Sequence, residues 1–352
     1  MGKVYDDFYP QIYNLLNLWQ AFKKAAAGRR KNPSVAQFEY NLENELVALR
    51  DELQDGAYRP GGYRSFTVHE PKRRKISAAP FRDRVVHHAL INIIGPMLER
   101  KFIYDSYANQ VGKGTHKALD RCTHFMREYQ YVLPCDVTQF FPSIDHRILR
   151  GILAKTIYDE RAMELIDHIL KSGEGILSSE YDLIYFPNDD LFSAQRPRGL
   201  PIGNLTSQFW ANVYLNELDQ FVKRELKARA YLRYVDDFSL FSNDKQELHV
   251  WRAAIIDFLA GLRLTIHENS TTPRPCSKGV TFLGFIVFPD HRRLRPEKGY
   301  AFRRRWRRLA ADLRAGNLTL QNLQIRAQAW VNHARFGDTW SLRRAILQSV
   351  RL

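Results

Sequence analysis

The segment Tyr231–Phe241 constrains the fold most strongly, because it places two adjacent carboxylates between two short apolar runs. Apolar side chains alternate along residues 231–234 and again along residues 238–241, which predicts a β-hairpin. Asp236 and Asp237 then fall at its tight turn. Neighbouring carboxylates repel each other unless a cation neutralises them, and a hard divalent cation such as Mg²⁺ removes that repulsion. A solvated acidic turn is the alternative interpretation.

A second apolar strand, predicted over residues 131–135, ends at Asp136. If it lies beside the hairpin, Asp136 joins Asp236 and Asp237 in the carboxylate set of a two-metal site. In such a site one ion activates an attacking 3′-hydroxyl and the other binds a triphosphate, with the ions roughly 3.5–4 Å apart. Buried carboxylates at strand ends would be costly without a metal. The sequence therefore predicts a magnesium site.

Composition favours a polyanionic partner. The 352 residues are 45% hydrophobic, enough for one large or two modest domains, and carry a net charge of +15. The charge is concentrated in residues 72–75 and 303–308, which argues against general solubility as its only role. The three cysteines are scattered without metal-ligand spacing, so we expect free thiols in a reducing compartment. We expect no signal peptide and no membrane span.

The acidic motifs resemble those of reverse transcriptases. Asp136 with the following Phe-Phe pair is similar to their first catalytic motif, and Tyr234-Val235-Asp236-Asp237 to their second. The resemblance implies an RNA-directed DNA polymerase with an α+β right-hand fold: fingers and an antiparallel palm in residues 1–290, and a helical thumb in 291–352. It also implies two Mg²⁺ ions, with Mn²⁺ as an alternative. Asp136 and Asp236 would ligate them, Asp237 would support the site, and the Val137 carbonyl would add a ligand.

The resemblance also assigns the nucleotide contacts. Strands predicted over residues 63–68 and around Ile76 flank a basic turn, which corresponds to the hairpin of the fingers. Arg73, Arg74 and Lys75 would contact the triphosphate there, although relatives usually carry Arg where Lys75 stands. A solvated basic turn is the alternative. Phe141 stands five residues after Asp136, where the family places the steric gate against a ribose 2′-hydroxyl; core packing is its alternative role.

The run Ile202-Gly203-Asn204-Leu205-Thr206-Ser207-Gln208 narrows the resemblance to the enzymes of diversity-generating retroelements. Most reverse transcriptases carry Gln where Ile202 stands and Pro where Gln208 stands. A Gly-rich turn before a helix lets the backbone approach a ligand closely, so Ile202 and Gly203 are candidate nucleotide contacts. Ile202 cannot make the polar contact of a Gln, which predicts low fidelity opposite template adenine. Simple packing of Ile202 is the alternative.

Other blocks complete the resemblance. Leu283, Gly284 and Phe285 are similar to the primer grip, and the Arg-rich helix predicted over residues 303–314 corresponds to the thumb. Within these blocks, Arg303, Arg304, Arg307 and, in a Gly-x-Gly loop, Lys113 are candidate contacts to the nucleic-acid backbone. A plain turn is the alternative for Lys113. Relatives usually carry a Lys at the position of Ser270. Lys278 is a candidate to take over the role of that missing Lys.

The partners implied are a template RNA, an RNA–DNA duplex, deoxynucleoside triphosphates and a small basic accessory protein, in the cytoplasm of a bacterium or encoded by a phage. A group II intron-type enzyme is one alternative; it would be expected to carry a further DNA-binding segment after the thumb, which we do not find before Leu352. A phage-defence polymerase and an inactive RNA-binding scaffold are the others.

Overall fold

The computed structural model of the chain describes residues 7–68, 74–187 and 189–350. In chain order the helices are α1 (Tyr9–Tyr13), α2 (Leu15–Ala26), α3 (Pro33–Tyr40), α4 (Leu42–Gln54), α5 (Phe81–Glu99), α6 (Thr115–Glu128), α7 (Phe140–Ser143), α8 (His146–Ala154), α9 (Glu160–Ser172), α10 (Leu205–Arg224), α11 (Lys245–Gly261), α12 (Pro296–Arg314), α13 (Leu320–Ala334) and α14 (Trp340–Leu347). The strands are β1 (Arg64–Val68), β2 (Arg74–Ala78), β3 (Tyr131–Asp136), β4 (Ala230–Tyr234), β5 (Asp237–Ser242), β6 (Arg274–Pro275), β7 (Val280–Phe282), β8 (Phe285–Val287) and β9 (Arg292–Leu294).

The chain forms two compact units. The first comprises the described residues of Met1–Tyr104, Val137–Lys227 and Ala254–His267, and the second those of Asp105–Asp136, Ala228–Ala253 and Glu268–Leu352. Strands pair antiparallel in both units, and helices pack beside them. This combination confirms the predicted α+β class. Among the described residues, no helix is both long enough and apolar enough to span a membrane.

The second unit is built on two antiparallel sheets with strand orders β4-β5-β3-β6 and β7-β8-β9. Their apolar faces share one core with α6, because the strands alternate apolar side chains and α6 carries an apolar stripe. Leu119 and Phe125 of α6, Val132 of β3 and Phe282 and Phe285 of the smaller sheet are buried in this core. The predicted strand over residues 131–135 and the predicted hairpin both lie in the larger sheet.

Helices α12, α13 and α14 of the second unit have a core of their own. Phe302, Trp306 and Leu309 of α12 are buried in it, and the ring of Phe302 stacks on that of Trp330 with centroids 4.0 Å apart. The spacing of these three residues places them on one face of the helix. The Arg residues of α12 between these positions are therefore exposed, as an amphipathic helix with a basic outer face requires.

The first unit is mainly helical, with α2 and α10 packed against the long helix α5. Residues 38–53 carry an apolar stripe at helical spacing that would fit one helix from Asn32 to Gly56, but the stripe is divided between α3 and α4, which meet at Asn41. Asn41 has a non-helical backbone (φ −112°, ψ 33°), and Asn favours helix boundaries because its side chain competes for backbone hydrogen bonds. Asn32 caps the start of α3, because its side chain accepts a hydrogen bond from the Ser34 amide.

Candidate active site

The acidic pair lies at a two-residue hairpin turn in the second unit. Tyr234 of β4 pairs directly with Asp237 of β5, which leaves Val235 and Asp236 as the turn. Val235 has φ 58°, a left-handed conformation that is unfavourable for a β-branched residue. Two-residue hairpin turns require positive φ, and strained backbone of this kind concentrates at functional sites. The predicted hairpin is confirmed, but its strained turn lies one residue earlier than predicted, because Asp237 is the first residue of β5.

Arg233 is a buried residue of this hairpin that sequence reasoning missed. It is fully buried in β4, and one of its guanidinium nitrogens donates to the Val235 carbonyl at 3.0 Å. Its backbone amide donates to the Asp105 carbonyl, and its carbonyl accepts from the Tyr107 amide. Arg233 thus ties the strained turn to its own strand and to the chain before α6. The sequence signal that could have singled out Arg233 is a charged residue within an otherwise apolar strand.

The structure brings the third acid to this turn. Asp136, the last residue of β3, is directly paired with Asp237, the first residue of β5. Directly opposed Cα atoms in an antiparallel pair are about 4.5–5.5 Å apart. Backbone pairing therefore places Asp136, Asp237 and the adjoining Asp236 at one end of the larger sheet, as the sequence predicts.

The three carboxylates influence one another. Burial raises the pKa of Asp237 well above its ordinary value, and the negative charges of Asp136 and Asp236 raise it further. Asp136 is exposed, whereas Asp236 and Asp237 are half-buried. The group is therefore partly open to solvent and carries a repulsion that a bound cation would relieve.

These donors fit hard divalent cations. Carboxylate oxygens are the ligands that Mg²⁺ prefers, and Mg²⁺ usually takes only one or two of them together with water and substrate phosphates. Among the residues that the structure describes, no group of three or more acidic, histidine or cysteine side chains is arranged to hold a metal ion.

In the first unit, the predicted nucleotide loop is fastened to β2. The Ile202 carbonyl accepts from the Ser77 amide at 2.9 Å, and Gly203 has φ 118°. A Cβ at Gly203 would lie 3.0 Å from Cγ2 of Ile76, so only glycine fits without strain. The buried Asn204, which sequence reasoning did not single out, donates from its side-chain amide to the carbonyls of Ser77 and Pro201.

The predicted basic turn of the fingers is partly strand. Arg74 and Lys75 are the first residues of β2, opposite Val68 and Thr67, so they do not belong to the turn. Arg74 is exposed, whereas the half-buried Lys75 donates from Nζ to the Ile176 carbonyl at 2.8 Å. Arg73 lies outside the described residues.

Phe141 lies in α7, one turn of helix in the first unit, and not in an extension of strand β3. Gln139, just before this turn, has φ 44°, which redirects the backbone. Phe140 is buried and Phe141 is half-buried, and their ring centroids are 5.5 Å apart. Phe140 is thus the core residue of the pair. Val137 is buried and forms an isolated bridge with Ile266.

The predicted nucleic-acid contacts belong to the second unit. Leu283 and Gly284, both with positive φ, form the turn between β7 and β8, and Phe285 is buried at the start of β8. Lys113 is half-buried and donates from Nζ to the Ser106 carbonyl at 2.7 Å, so its ammonium stabilises its own loop. The exposed side chains on the outer face of α12 include Arg303, Arg304 and Arg307.

All three cysteines are buried and unpaired.

The chain is similar to known polymerases of one family. The family described as "Reverse transcriptase (RNA-dependent DNA polymerase)" matches residues 68–287, more than half of the sequence. Protein YkfC of Escherichia coli is 26% identical over 299 residues, which cover 74% of each chain. The group II intron-encoded protein LtrA of Lactococcus lactis is 26% identical over 183 residues, which cover 51% of this chain and 28% of LtrA.

Among solved structures, a truncated telomerase from Candida tropicalis aligns with a TM-score of 0.48 and 12% identity over 72% of this chain and 60% of the telomerase. The mixture of helices and antiparallel sheets is consistent with the right-hand polymerase fold. The family match over residues 68–287 contains Asp136, Asp236 and Asp237. This chain therefore belongs to the reverse transcriptase family of RNA-directed DNA polymerases, with relatives among the group II intron-encoded enzymes.

Proposed function

We propose that this chain makes complementary DNA from a template RNA by two-metal nucleotidyl transfer and serves a diversity-generating retroelement. Asp136 and Asp236 would hold two Mg²⁺ ions, for which Mn²⁺ can substitute, and Asp237 would support the site. The Val137 carbonyl is a further ligand. The bound ions supply activation of the primer 3′-hydroxyl and neutralisation of the departing pyrophosphate. Catalysis is then positioning and electrostatics, with no covalent enzyme intermediate.

The observation that carries the catalytic part of this proposal is the register that pairs Asp136 with Asp237. Like charges directly opposite each other destabilise a sheet, so the arrangement is costly unless it serves a site. The strained Val235 turn and the buried Arg233 that ties it down add further structural cost at the same place. Metal binding gives a physical reason for all three features.

The substrate contacts follow from the motifs. We assign triphosphate binding to Arg73, Arg74 and Lys75, and for Lys75 this requires release of its bond to the Ile176 carbonyl. Phe141 excludes the ribose 2′-hydroxyl and so selects deoxynucleotides. Its partial exposure supports that role better than core packing, which the buried Phe140 provides.

We assign low fidelity opposite template adenine to Ile202. The side chain has no polar atom, so it cannot replace the hydrogen bond that a Gln would offer. One such bond is worth about 0.5–1.5 kcal/mol, which corresponds to a factor of up to roughly ten in discrimination. This contributes to mutagenesis but does not account for all of it. The fixed loop around Gly203 supports a defined role for its neighbour Ile202.

The nucleic acid is held by charge and by backbone contact. We propose that residues 1–290 act as fingers and palm and residues 291–352 as the thumb. Leu283, Gly284 and Phe285 support the primer end. The exposed Arg residues of α12 contact the backbone of the RNA–DNA duplex, and a small basic accessory protein joins the complex.

A group II intron-like reverse transcriptase is the second candidate, and the similarity to LtrA favours it. Primer extension on a defined RNA template, with and without Mg²⁺, tests the activity, and sequencing of the product separates the two classes. The retroelement enzyme is expected to place its errors at template adenines. Errors spread evenly over the four template bases would favour the intron-like class. Synthesis without primer or added template would favour a phage-defence polymerase.

A further inference from the structure

A largely buried charge network lies in the first unit, beside the segment that carries Phe141. It consists of two acids and two arginines: Asp145, Asp189, Arg196 and Arg263. Asp145 is 1% exposed, and its Oδ2 lies 2.5 Å from Nε of Arg196 and 3.7 Å from Nε of Arg263. Arg263 also donates to Asp189 from both terminal nitrogens of its guanidinium. The two positive charges thus balance the two negative ones.

Stability alone does not explain this charge network. Taking charged groups out of water is costly, and an ion pair in the interior often stabilises a fold no better than apolar side chains of similar volume. Arg263 adds a second cost, because its φ of 55° is left-handed and unfavourable for a residue other than glycine. Strained backbone concentrates at functional sites, where it holds a group in a defined place. The network therefore indicates a position that function requires to be fixed.

The network lies where two segments with proposed nucleotide contacts meet. Residues 141–146 run alongside residues 197–200, and backbone hydrogen bonds of 2.9–3.0 Å join them. One of these bonds runs from the Leu200 amide to the Phe141 carbonyl, two residues before Ile202. The position of the Phe141 backbone therefore depends on how the two segments are held together.

The ion pair between Asp145 and Arg196 closes the far end of this pairing. Asp145 stands four residues after Phe141, and Arg196 directly precedes residues 197–200. The other carboxylate oxygen of Asp145 accepts from two backbone amides at the start of α8, whose N-terminus it caps. Asp145 therefore fastens the segment that carries Phe141 both to α8 and to the segment that leads to Ile202.

Arg263 holds the beginning of the same segment. The Thr138 amide, three residues before Phe141, donates to the Thr265 carbonyl at 2.8 Å. Thr265 stands two residues after Arg263, whose side chain is bound by both acids of the network. The charge network thus acts on the Phe141 segment from two sides, through Arg263 before the residue and through Asp145 after it.

We propose that Asp145, Asp189, Arg196 and Arg263 are positioning residues for nucleotide selection, which hold Phe141 where its ring blocks a ribose 2′-hydroxyl. The inference rests on the proposed function, in which Phe141 is the steric gate. The network acts through Phe141 and does not touch the substrate itself. Removing one of its charges leaves an opposite charge without a partner in a poorly solvated place, which loosens the segment. A displacement of about 1 Å can change a rate by about a hundredfold, so a loosened gate admits ribonucleotides.

The test measures the ratio of kcat/KM for a deoxynucleotide to kcat/KM for the matching ribonucleotide, by single-nucleotide extension of a primer on an RNA template. The full chain is used throughout. Both substrates are measured on the same preparation, so the fraction of folded enzyme cancels from the ratio. A purely structural loss of stability therefore leaves the ratio unchanged, whereas a displaced gate lowers it.

Asp145→Asn removes one charge of the network and keeps a side-chain oxygen that can cap α8. Asp159→Asn is the matched control, because Asp159 is also a buried acid that caps a helix of the first unit. Its carboxylate accepts from the backbone amides of Phe8, Tyr9 and Ala162. The control therefore removes a buried charge outside the network.

We expect Asp145→Asn to lower the ratio roughly tenfold, the lower end of steric discrimination in a pocket, and Asp159→Asn to leave it unchanged. The double variant Phe141→Ala/Asp145→Asn should show the same ratio as Phe141→Ala alone, because the effects of residues that act through one another are not additive. An unchanged ratio in Asp145→Asn would overturn the proposal. A double variant whose loss is the product of the two single losses would overturn it as well.

The same variants separate this inference from the proposed function. If Phe141→Ala keeps the wild-type ratio, Phe141 is not the gate, and both the gate and its positioning are refuted. If Phe141→Ala lowers the ratio and Asp145→Asn does not, the gate stands and only the role of the network is refuted. Should Asp145→Asn fail to fold, Arg196→Gln, at a half-buried position of the same network, is measured in its place against the same outcomes.

Discussion

Asp136 and Asp237 are directly opposite each other across β3 and β5, where β3 ends and where β5 begins after the strained Val235 turn. The pairing places two carboxylates on adjacent backbones, and Asp236 adds a third. Burial and the two neighbouring charges raise the pKa of Asp237. The end of this sheet is therefore a place where a divalent cation would stabilise the fold as well as serve catalysis.

Metal binding should be visible in stability. We expect Mg²⁺ to raise the melting temperature of the wild type, because a ligand that binds only the folded state stabilises it. Asp136→Asn should lose that shift and, without metal, should be more stable by up to about 1 kcal/mol, since one opposed like charge is removed. Asp244→Asn is the matched control, an exposed acid just beyond the same hairpin. Equal Mg²⁺ shifts in the two variants would argue against the metal site.

Ile202→Gln tests the fidelity hypothesis. Restoring a polar side chain should lower the error rate opposite template adenine by a factor of up to roughly ten. Ile202→Val, which keeps the site apolar, should leave the rate unchanged. The measurement is deep sequencing of complementary DNA made on one RNA template. Identical error rates at adenine for the wild type and Ile202→Gln would refute the role of Ile202.

Phe141→Ala tests the steric gate. Removing the ring should increase incorporation of ribonucleotides relative to deoxynucleotides by about 10- to 200-fold, the range of steric discrimination in a pocket. Phe141→Tyr keeps the ring and should retain the preference for deoxynucleotides. Single-nucleotide extension with each substrate gives the ratio. An unchanged ratio in Phe141→Ala would assign Phe141 to packing.

Gly203→Ala tests how tightly the nucleotide loop is fixed. The new Cβ would lie 3.0 Å from Ile76, and φ 118° is unfavourable for alanine. We expect the free energy of unfolding to fall by about 1–3 kcal/mol. Gly62→Ala is the control, because a Cβ there meets no atom within 4 Å and its φ is not positive. Chemical denaturation measures both, and equal stability of the two variants would contradict the loop geometry.

Two histidines of α5, the buried His87 and the half-buried His88, predict how the free energy of unfolding falls at acid pH. Burial lowers the pKa of His87 to about 3 and that of His88 to about 4. His88 and Arg84 also act on His87, and Lys24, Arg29 and Arg84 act on His88. Both groups take up protons more readily in the unfolded chain. Their contribution to stability is therefore complete above pH 6.5, is lost as the pH falls, and levels off near the folded pKa values.

Replacing His87 with phenylalanine should make the free energy of unfolding depend less steeply on pH between pH 6.5 and 4, because one of the two groups no longer titrates. The free energy of unfolding should be followed by denaturant titration across that range. A variant with the same slope as the wild type would show that His87 is protonated equally in the folded and unfolded chains.

The hairpin could be predicted from the sequence because its signal is local: alternating apolar residues and a two-residue turn. The prediction that Asp136 lies beside the hairpin rested on the order of the motifs along the chain. The pairing register of β3 and β5 places Asp136 there. Features that depend on distant contacts could not be predicted. The buried Arg233 bonds to its own turn, and Asn204 bonds to residues more than a hundred positions earlier.

Predictions from the spacing of apolar side chains were wrong where the backbone departs from the conformation that this spacing indicates. The apolar stripe of α3 and α4 continues across Asn41, although the helix does not. Phe141 stands in a helical turn because Gln139 adopts a left-handed conformation, which an alternation of side chains does not reveal. A cavity of the first unit is lined by residues of α2, α5 and α10, three helices distant in the sequence, and no local pattern indicates it.

The most direct test of the account is primer extension on an RNA template by Asp236→Asn beside Asp244→Asn, each purified and shown to be folded. Both remove one negative charge near the same hairpin, but only Asp236 is assigned to the metal ions. We predict that Asp236→Asn loses at least about a hundredfold in rate at saturating Mg²⁺, as expected for loss of several kcal/mol of metal stabilisation, while Asp244→Asn retains the wild-type rate. Equal rates for the two variants would contradict catalysis by this acidic group.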